Sequence, residues 1–209
     1  RKIENVNAIF GIKNCDYKNM EFDEALFRNN INTNKLTEDM YLELNTYILT
    51  LKKINNIYVP LGVGLHTDHI ITYNVCSNIQ KSIKYYYEFP YYQIDLNKKI
   101  RNLQLGLQKE DINIGDLIEF YNAPIYSDNN WFLRIFLLIY NIIIYFINYV
   151  FFCKKTINSL QVYDIDLEEK MKLVMKYKSQ IVPIFGNYNN LYNLLKRNKE
   201  IVITFNINE

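Results

Sequence analysis

The chain has two histidines, His66 and His69, three residues apart in Gly62-Val63-Gly64-Leu65-His66-Thr67-Asp68-His69. They follow the apolar run Ile57-Tyr58-Val59-Pro60-Leu61. Imidazoles at i and i+3 of a helical turn share a face. One can hold a metal while the other holds or polarises a substrate. The ordinary alternative for an isolated His-x-x-His is a structural or surface pair. Asp68, between them, suits helix capping or the orientation of an imidazole better than metal ligation.

Positioning such a pair takes a strand that ends before it and a helix that begins at it. Residues 57–61 read as a buried strand, Gly62-Val63-Gly64 as a loop, and Thr67 or Asp68 as the cap of a helix running to about Ile83. Tyr85-Tyr86-Tyr87 starts another strand, which Pro90 ends. Ahead of this unit, Ile3, Val6, Ile9 and Phe10 space like one helix face, and Gly11 is placed to stop it. A short run at Met20–Phe22 reads as a strand, and residues 37–54 as a helix capped by Thr37. Alternating helices and apolar strands predict βα units, with a parallel sheet covered on both faces. Ligands of such a sheet bind just past the carboxyl ends of its strands, where the histidine loop falls.

Residues 96–130 are polar and irregular. Residues 131–152 (WFLRIFLLIYNIIIYFINYVFF) are very apolar. As one helix they span about 33 Å, close to the ~30 Å hydrocarbon core of a bilayer. Lys154 and Lys155 follow, and aromatic side chains are frequent, as in membrane-interface segments. Against this, Arg134, Asn141 and Asn148 interrupt the run. Membrane contact and a long helix or hairpin packed on the domain both fit. Residues 164–182 read as an amphipathic helix, and Ile201-Val202-Ile203 as a closing strand.

With 209 residues, 24 Lys+Arg, 22 Asp+Glu and 49% hydrophobic residues, the chain suits one domain, or one domain carrying an insertion. Wholesale disorder is excluded, and the near-neutral balance argues against a dedicated nucleic-acid binder. Three scattered cysteines, Cys15, Cys76 and Cys153, support neither a disulfide framework nor a cysteine zinc site. They fit a reducing, intracellular compartment. The 29 Asn and 30 Ile against 3 Ala reflect a compositional bias that weakens propensity arguments. The opening on Arg1, in what reads as a helix, leads to the expectation that the chain starts inside a longer protein.

The stretch Pro60-Leu61-Gly62-x-Gly64-x-His66-x-Asp68-His69 resembles the second signature of the LmbE/PIG-L zinc-dependent N-deacetylases. Arg1-x-x-Glu4-x-x-x-Ala8-x-x-Gly11 is similar to the family's Arg-x-x-Glu helix. Glu24-Ala25-Leu26-Phe27-Arg28 resembles its Asp-Ala-x-x-Arg segment, with Glu for Asp. Tyr86-Tyr87-Glu88-Phe89-Pro90-Tyr91 resembles Tyr-Glu-Asp-x-Pro-Tyr, with Tyr87 in the Glu place and Glu88 in the Asp place. Lys170 through Tyr177-Lys178-Ser179-Gln180 resembles its C-terminal helix. These matches keep the family's order; residues 131–152 have no counterpart in it.

The resemblance implies a three-layer α/β/α, Rossmann-like domain with a mostly parallel sheet whose first strand is missing. Residues 1–95 would form the core, 96–163 an insertion, and 164–209 a helix and strand completing the core. The implied reaction is zinc-dependent hydrolytic N-deacetylation of a GlcNAc-type small molecule or glycoconjugate. His69 would be a zinc ligand, His66 would stabilise the oxyanion, and Arg1, Arg28 and Glu88 would lie at the substrate. Zinc would activate water and a carboxylate would take its proton. Localisation would be cytoplasmic or membrane-associated, at the endoplasmic reticulum in a eukaryote.

Alternatives stay open for single residues. Arg28 also suits a surface pair with Glu21, Asp23 or Glu24, and Glu88 a supporting or solvated place. Tyr85–Tyr87 suit sheet packing, and Lys170, Tyr177, Ser179 and Gln180 a structural helix. The family's His-x-Asp-Asp motif, which supplies two more zinc ligands and the base, is absent: there is no Asp-Asp pair and no third His. Either that segment precedes Arg1, or the protein is a non-catalytic relative that binds, scaffolds or associates with a membrane.

Overall fold

The computed structural model describes residues 33–51, 54–79, 82–123, 130–197 and 199–205, with a few single positions between 8 and 22. Arg1, Arg28 and most of the expected N-terminal helix lie outside the described residues. Met20 and Phe22, expected in a strand, are in neither strand nor helix.

The first long helix, α1 (Thr33–Thr50), begins before the expected Thr37 and ends before 54. Its Met40, Tyr41 and Leu44 pack on Ile71 and Val75 of a later helix. Strand β1 (Ile57–Pro60), helix α2 (Thr67–Ser77) and strand β2 (Ile83–Tyr86) form a βαβ unit as expected, but α2 ends at Ser77, short of the expected Ile83, which instead opens β2 ahead of the expected Tyr85. β1 and β2 pair in parallel, Val59 opposite Tyr85, because a helical crossover returns the chain in the same direction.

The sheet as a whole is not mostly parallel. Its order is β1-β2-β4-β3, with β4 (Glu200–Phe205) and β3 (Ile157–Tyr163) each joined antiparallel. Hydrophobic patterning locates a strand but carries no direction. Only the short β1-α2-β2 crossover constrains it, and β3 and β4 arrive through several intervening helices. β3 escapes the sequence reading because it is an edge strand with no clean inside–outside alternation: Leu160 and Val162 are exposed, and so are most of their neighbours.

The stretch 96–130 is also more regular than expected. Helix α3 (Asp95–Gln104) presents Leu96, Ile100 and Leu103 to a core, but it also buries Asn97, Arg101 and Asn102, which masks the stripe. Helix α4 (Ile114–Asn122) starts at a capping box: Asn113 accepts from the Asp116 N–H, and the Asp116 carboxylate accepts from the Asn113 N–H. Lys99 Nζ, 2.9 Å from Asp116, ties α3 to α4. The apolar run forms one helix, α5 (Trp131–Val150), against both. The expected helix 164–182 is two: α6 (Leu167–Val174) and α7 (Lys178–Phe185), broken at 175–177. Helix α8 (Tyr188–Lys196) leads to β4, so the expected C-terminal strand is present.

The described residues thus form an α/β protein with eight helices and a four-stranded mixed sheet. Val59, Leu61, Tyr85 and Ile203 fill its centre, each at most 1% exposed. An aliphatic side chain buried this fully contributes about 1.5–3 kcal/mol. Tyr85 stacks on Phe205 with ring centroids 4.8 Å apart, which binds β2 to β4.

Candidate functional site

The histidine loop begins where β1 ends. Leu61 still donates its N–H to Tyr86 O, and the chain then turns away from the sheet through Gly62 at φ +87° and Gly64 at φ +79°. A Cβ at Gly62 would lie 2.7 Å from Ile70 Cδ1 and 3.1 Å from an Arg101 nitrogen, so the glycine is needed for space as well as for φ. Leu65 follows at φ +57°, a conformation a branched side chain rarely takes. This tight turn spans Val63–Leu65.

α2 starts immediately after. Its N-cap is His66, in an extended conformation and with no side-chain cap, rather than Thr67 or Asp68. Asp68 lies in the first turn, where a negative charge favours the helix dipole. His69 is one position further along. The two imidazole rings are 5.0 Å apart, tilted by 43°, and Tyr91 stands edge-on to His69 at 5.7 Å and 6.2 Å from His66. Gly64 makes room for Tyr91, since a Cβ there would come within 2.7–2.9 Å of three Tyr91 side-chain atoms.

Glu88 joins the loop from the segment after β2. Only 4% exposed, it accepts the Gly62 N–H at 2.5 Å through one oxygen and the Val63 N–H at 3.2 Å through the other. His69 Nδ1 lies 3.3 Å from the first oxygen, close enough for an ion pair but without the alignment of a hydrogen bond. One carboxylate therefore holds both the turn and an imidazole, across 26 residues of sequence from Gly62.

Arg101, on α3, is the member that the sequence reading missed. It is 6% exposed, its Nε donates to Leu61 O at 2.7 Å, and its guanidinium lies 4.7 Å over the Tyr73 ring. One terminal nitrogen donates to Gln104 at 3.3 Å; the other is buried without a hydrogen-bond partner among the described residues. Burial lowers its pKa, against the pull of Tyr73 and Glu88. No motif marks it, because its place follows from α3 packing on the loop, and α3 lies in a stretch whose polar pattern predicts no regular element.

His66, His69 and Glu88 thus come together, while Arg1 and Arg28 lie outside the described residues. No three-ligand metal group of His, Cys, Asp or Glu occurs among the described residues. The two imidazoles do not by themselves make a zinc site, which takes about three protein ligands and an open position. Chemically, the cluster can donate hydrogen bonds or positive charge from two imidazoles to one substrate group, on a loop braced by a buried carboxylate. Comparison of the chain with models of known families, with curated proteins and with solved structures finds no match in any of the three.

Proposed function

We propose that this chain carries part of a hydrolytic site of the LmbE/PIG-L type, acting on an N-acetyl group of a GlcNAc-containing substrate. The finer architecture that goes with it, a three-layer Rossmann-like domain, is part of the same proposal. What supports the reading most is that two separate stretches of the resemblance, 60–69 and 86–91, meet at one carboxylate: Glu88 binds the loop N–H groups and faces His69.

In this reading Glu88 occupies the Nδ1 side of His69, as carboxylates do behind metal-bound imidazoles, so Nε2 is the ligating nitrogen. The described residues do not complete a zinc set, and the further ligands and the general base must come from outside them. His66, at the mouth of the turn, donates a hydrogen bond to the oxygen that becomes negative as the amide is attacked. Tyr91 packs against both rings and limits their rotation. Arg1 and Arg28 are proposed substrate contacts by resemblance alone.

The test uses the full-length protein. His69→Ala loses tight zinc binding by metal analysis; an unchanged zinc stoichiometry refutes the ligand role. His66→Ala keeps the metal and releases acetate from GlcNAc conjugates about 10²–10³-fold more slowly, the usual effect of losing an oxyanion donor. Wild-type rates refute that role. The second reading is a non-catalytic binding protein on the same fold, favoured by the lack of a three-ligand set among the described residues. It wins if the full-length protein binds the conjugate but releases no acetate.

A further inference from the structure

Helix α5 has its polarity turned inside out. Its three polar residues other than tyrosine, Arg134, Asn141 and Asn148, recur every seven positions and so share one face. That face is the one against the protein: Asn141 is buried and Arg134 and Asn148 are half-buried, while Tyr145 beside them is 3% exposed. The opposite face carries Phe132, Phe136, Ile139, Ile143, Phe146 and Val150, each between 51% and 75% exposed. At 3.6 residues per turn the exposed side chains sweep an arc of about 200°, and every one of them is aliphatic or aromatic. A helix facing water has the reverse pattern.

Each inward polar group makes a hydrogen bond within the protein. Arg134 donates to Tyr121 O at 3.2 Å, Asn141 to Leu137 O at 2.8 Å and Asn148 to Ile144 O at 2.7 Å. Such internal bonds lower the cost of placing a polar side chain beside hydrocarbon. The breadth of the arc also speaks against a single partner helix, which covers a narrower seam. Basic groups flank the C-terminal end, where an anionic lipid surface would meet them: Lys154 follows the helix and Lys109 Nζ lies 3.7 Å over Tyr149, beside Asp111, which also contacts Tyr149, while residues 130–155 contain no acidic residue.

We propose that α5 is an in-plane membrane anchor, with its outer face in the acyl chains of an anionic leaflet and its polar stripe docked on α3 and α4. By length and composition it could cross a bilayer. It does not cross here, because its inner face is committed along the helix to the protein. Leu137, Leu138, Ile144 and Tyr149 pack with Leu96, Ile100, Leu103 and Phe120, and Tyr145 donates to Glu110 O at 2.9 Å. Spanning would drag the Lys99–Asp116 pair and the α3 surface into hydrocarbon. The inference is independent of the hydrolase reading.

The chain's single tryptophan, Trp131, lies on this face at 67% exposure, so its fluorescence reports the site directly. The full chain is mixed with phosphatidylcholine vesicles with and without phosphatidylserine and followed by flotation, Trp emission and quenching by brominated lipids. Expected are binding that strengthens with phosphatidylserine, a blue shift, and quenching at shallow depth. Phe136→Glu with Ile143→Glu weakens partitioning by about 10-fold per charge, while the paired leucine substitutions keep it. An unchanged urea midpoint verifies that the glutamate variant is folded, as the exposure of both positions predicts. Tryptophan moved to position 143 in a Trp131→Phe background is quenched at the same shallow depth; quenching at the bilayer centre means a spanning helix and overturns the proposal. So does a wild-type chain that ignores vesicles, or whose Trp131 is already shielded without them by a second copy or another segment.

Discussion

Replacing Glu88 by glutamine tests whether one carboxylate organises the histidine loop. Wild-type Glu88 is 4% exposed and has an acceptor oxygen for each of two backbone N–H groups, Gly62 and Val63. Glutamine is nearly isosteric but has one acceptor oxygen, so its amide N–H₂ meets the second backbone N–H donor to donor. A buried donor left unsatisfied costs about 1–3 kcal/mol, and the surviving bond loses its charge assistance, about 1 kcal/mol more. The expected loss is therefore about 2–4 kcal/mol, or roughly 4–16 °C in Tm for a chain of this size. Urea and thermal unfolding of Glu88→Gln against wild type measure it. Repeating the substitution in a His69→Ala background divides the loss: it persists if the loop N–H groups carry it and shrinks if the imidazole does. A Glu88→Gln loss under 0.5 kcal/mol would refute the view that the carboxylate braces this turn.

Three further outcomes follow from the same structure. Gly64→Ala places a Cβ at φ +79° against the Tyr91 ring, which costs about 1–2 kcal/mol of backbone strain and about 1–3 kcal/mol of overpacking; unfolding at the wild-type midpoint would show that Tyr91 is not held there. Burial pushes the Cys76 thiol up to about 11, so a disulfide reagent at pH 8 modifies exposed Cys15 and Cys153 well before Cys76, and equal rates contradict its placement. Burial likewise pushes Tyr87 up to about 12, opposed by its hydrogen bond to Asn102. A raised folded pKa favours the neutral group in the fold. The stability from Cys76 and Tyr87 is therefore whole below their ordinary values of 9.0 and 10.0 and falls as pH climbs toward 11 and 12. A urea midpoint constant from pH 9 to 12 argues against both.

The βαβ unit around the histidines was legible because β1 is a short buried run, two glycines mark the turn, and α2 follows without a break. The C-terminal strand was legible for the same reason, as a compact β-branched run. α5 was legible as a helix from sheer length and hydropathy. By contrast, α3 and α4 were hidden by polar residues that sit inside rather than outside: Asn97, Arg101, Asn102 and Asp116 are all buried and hydrogen-bonded within the protein. β3 was hidden by the opposite feature, apolar residues left on the surface.

What the sequence alone determined is local: which runs form strands and helices, where the turn between β1 and α2 falls, and that two imidazoles share its far side. These follow from φ preferences and side-chain periodicity over a few residues. Tertiary structure decided the rest: the antiparallel joining of β4 and β3, the bracing of the turn by Glu88 and Arg101, and the outward apolar face of α5. Each of these joins groups far apart in the chain or depends on which side of an element is covered. A periodic pattern shows that a helix has two faces, but only packing selects the one turned inward, and in α5 it selected the polar one.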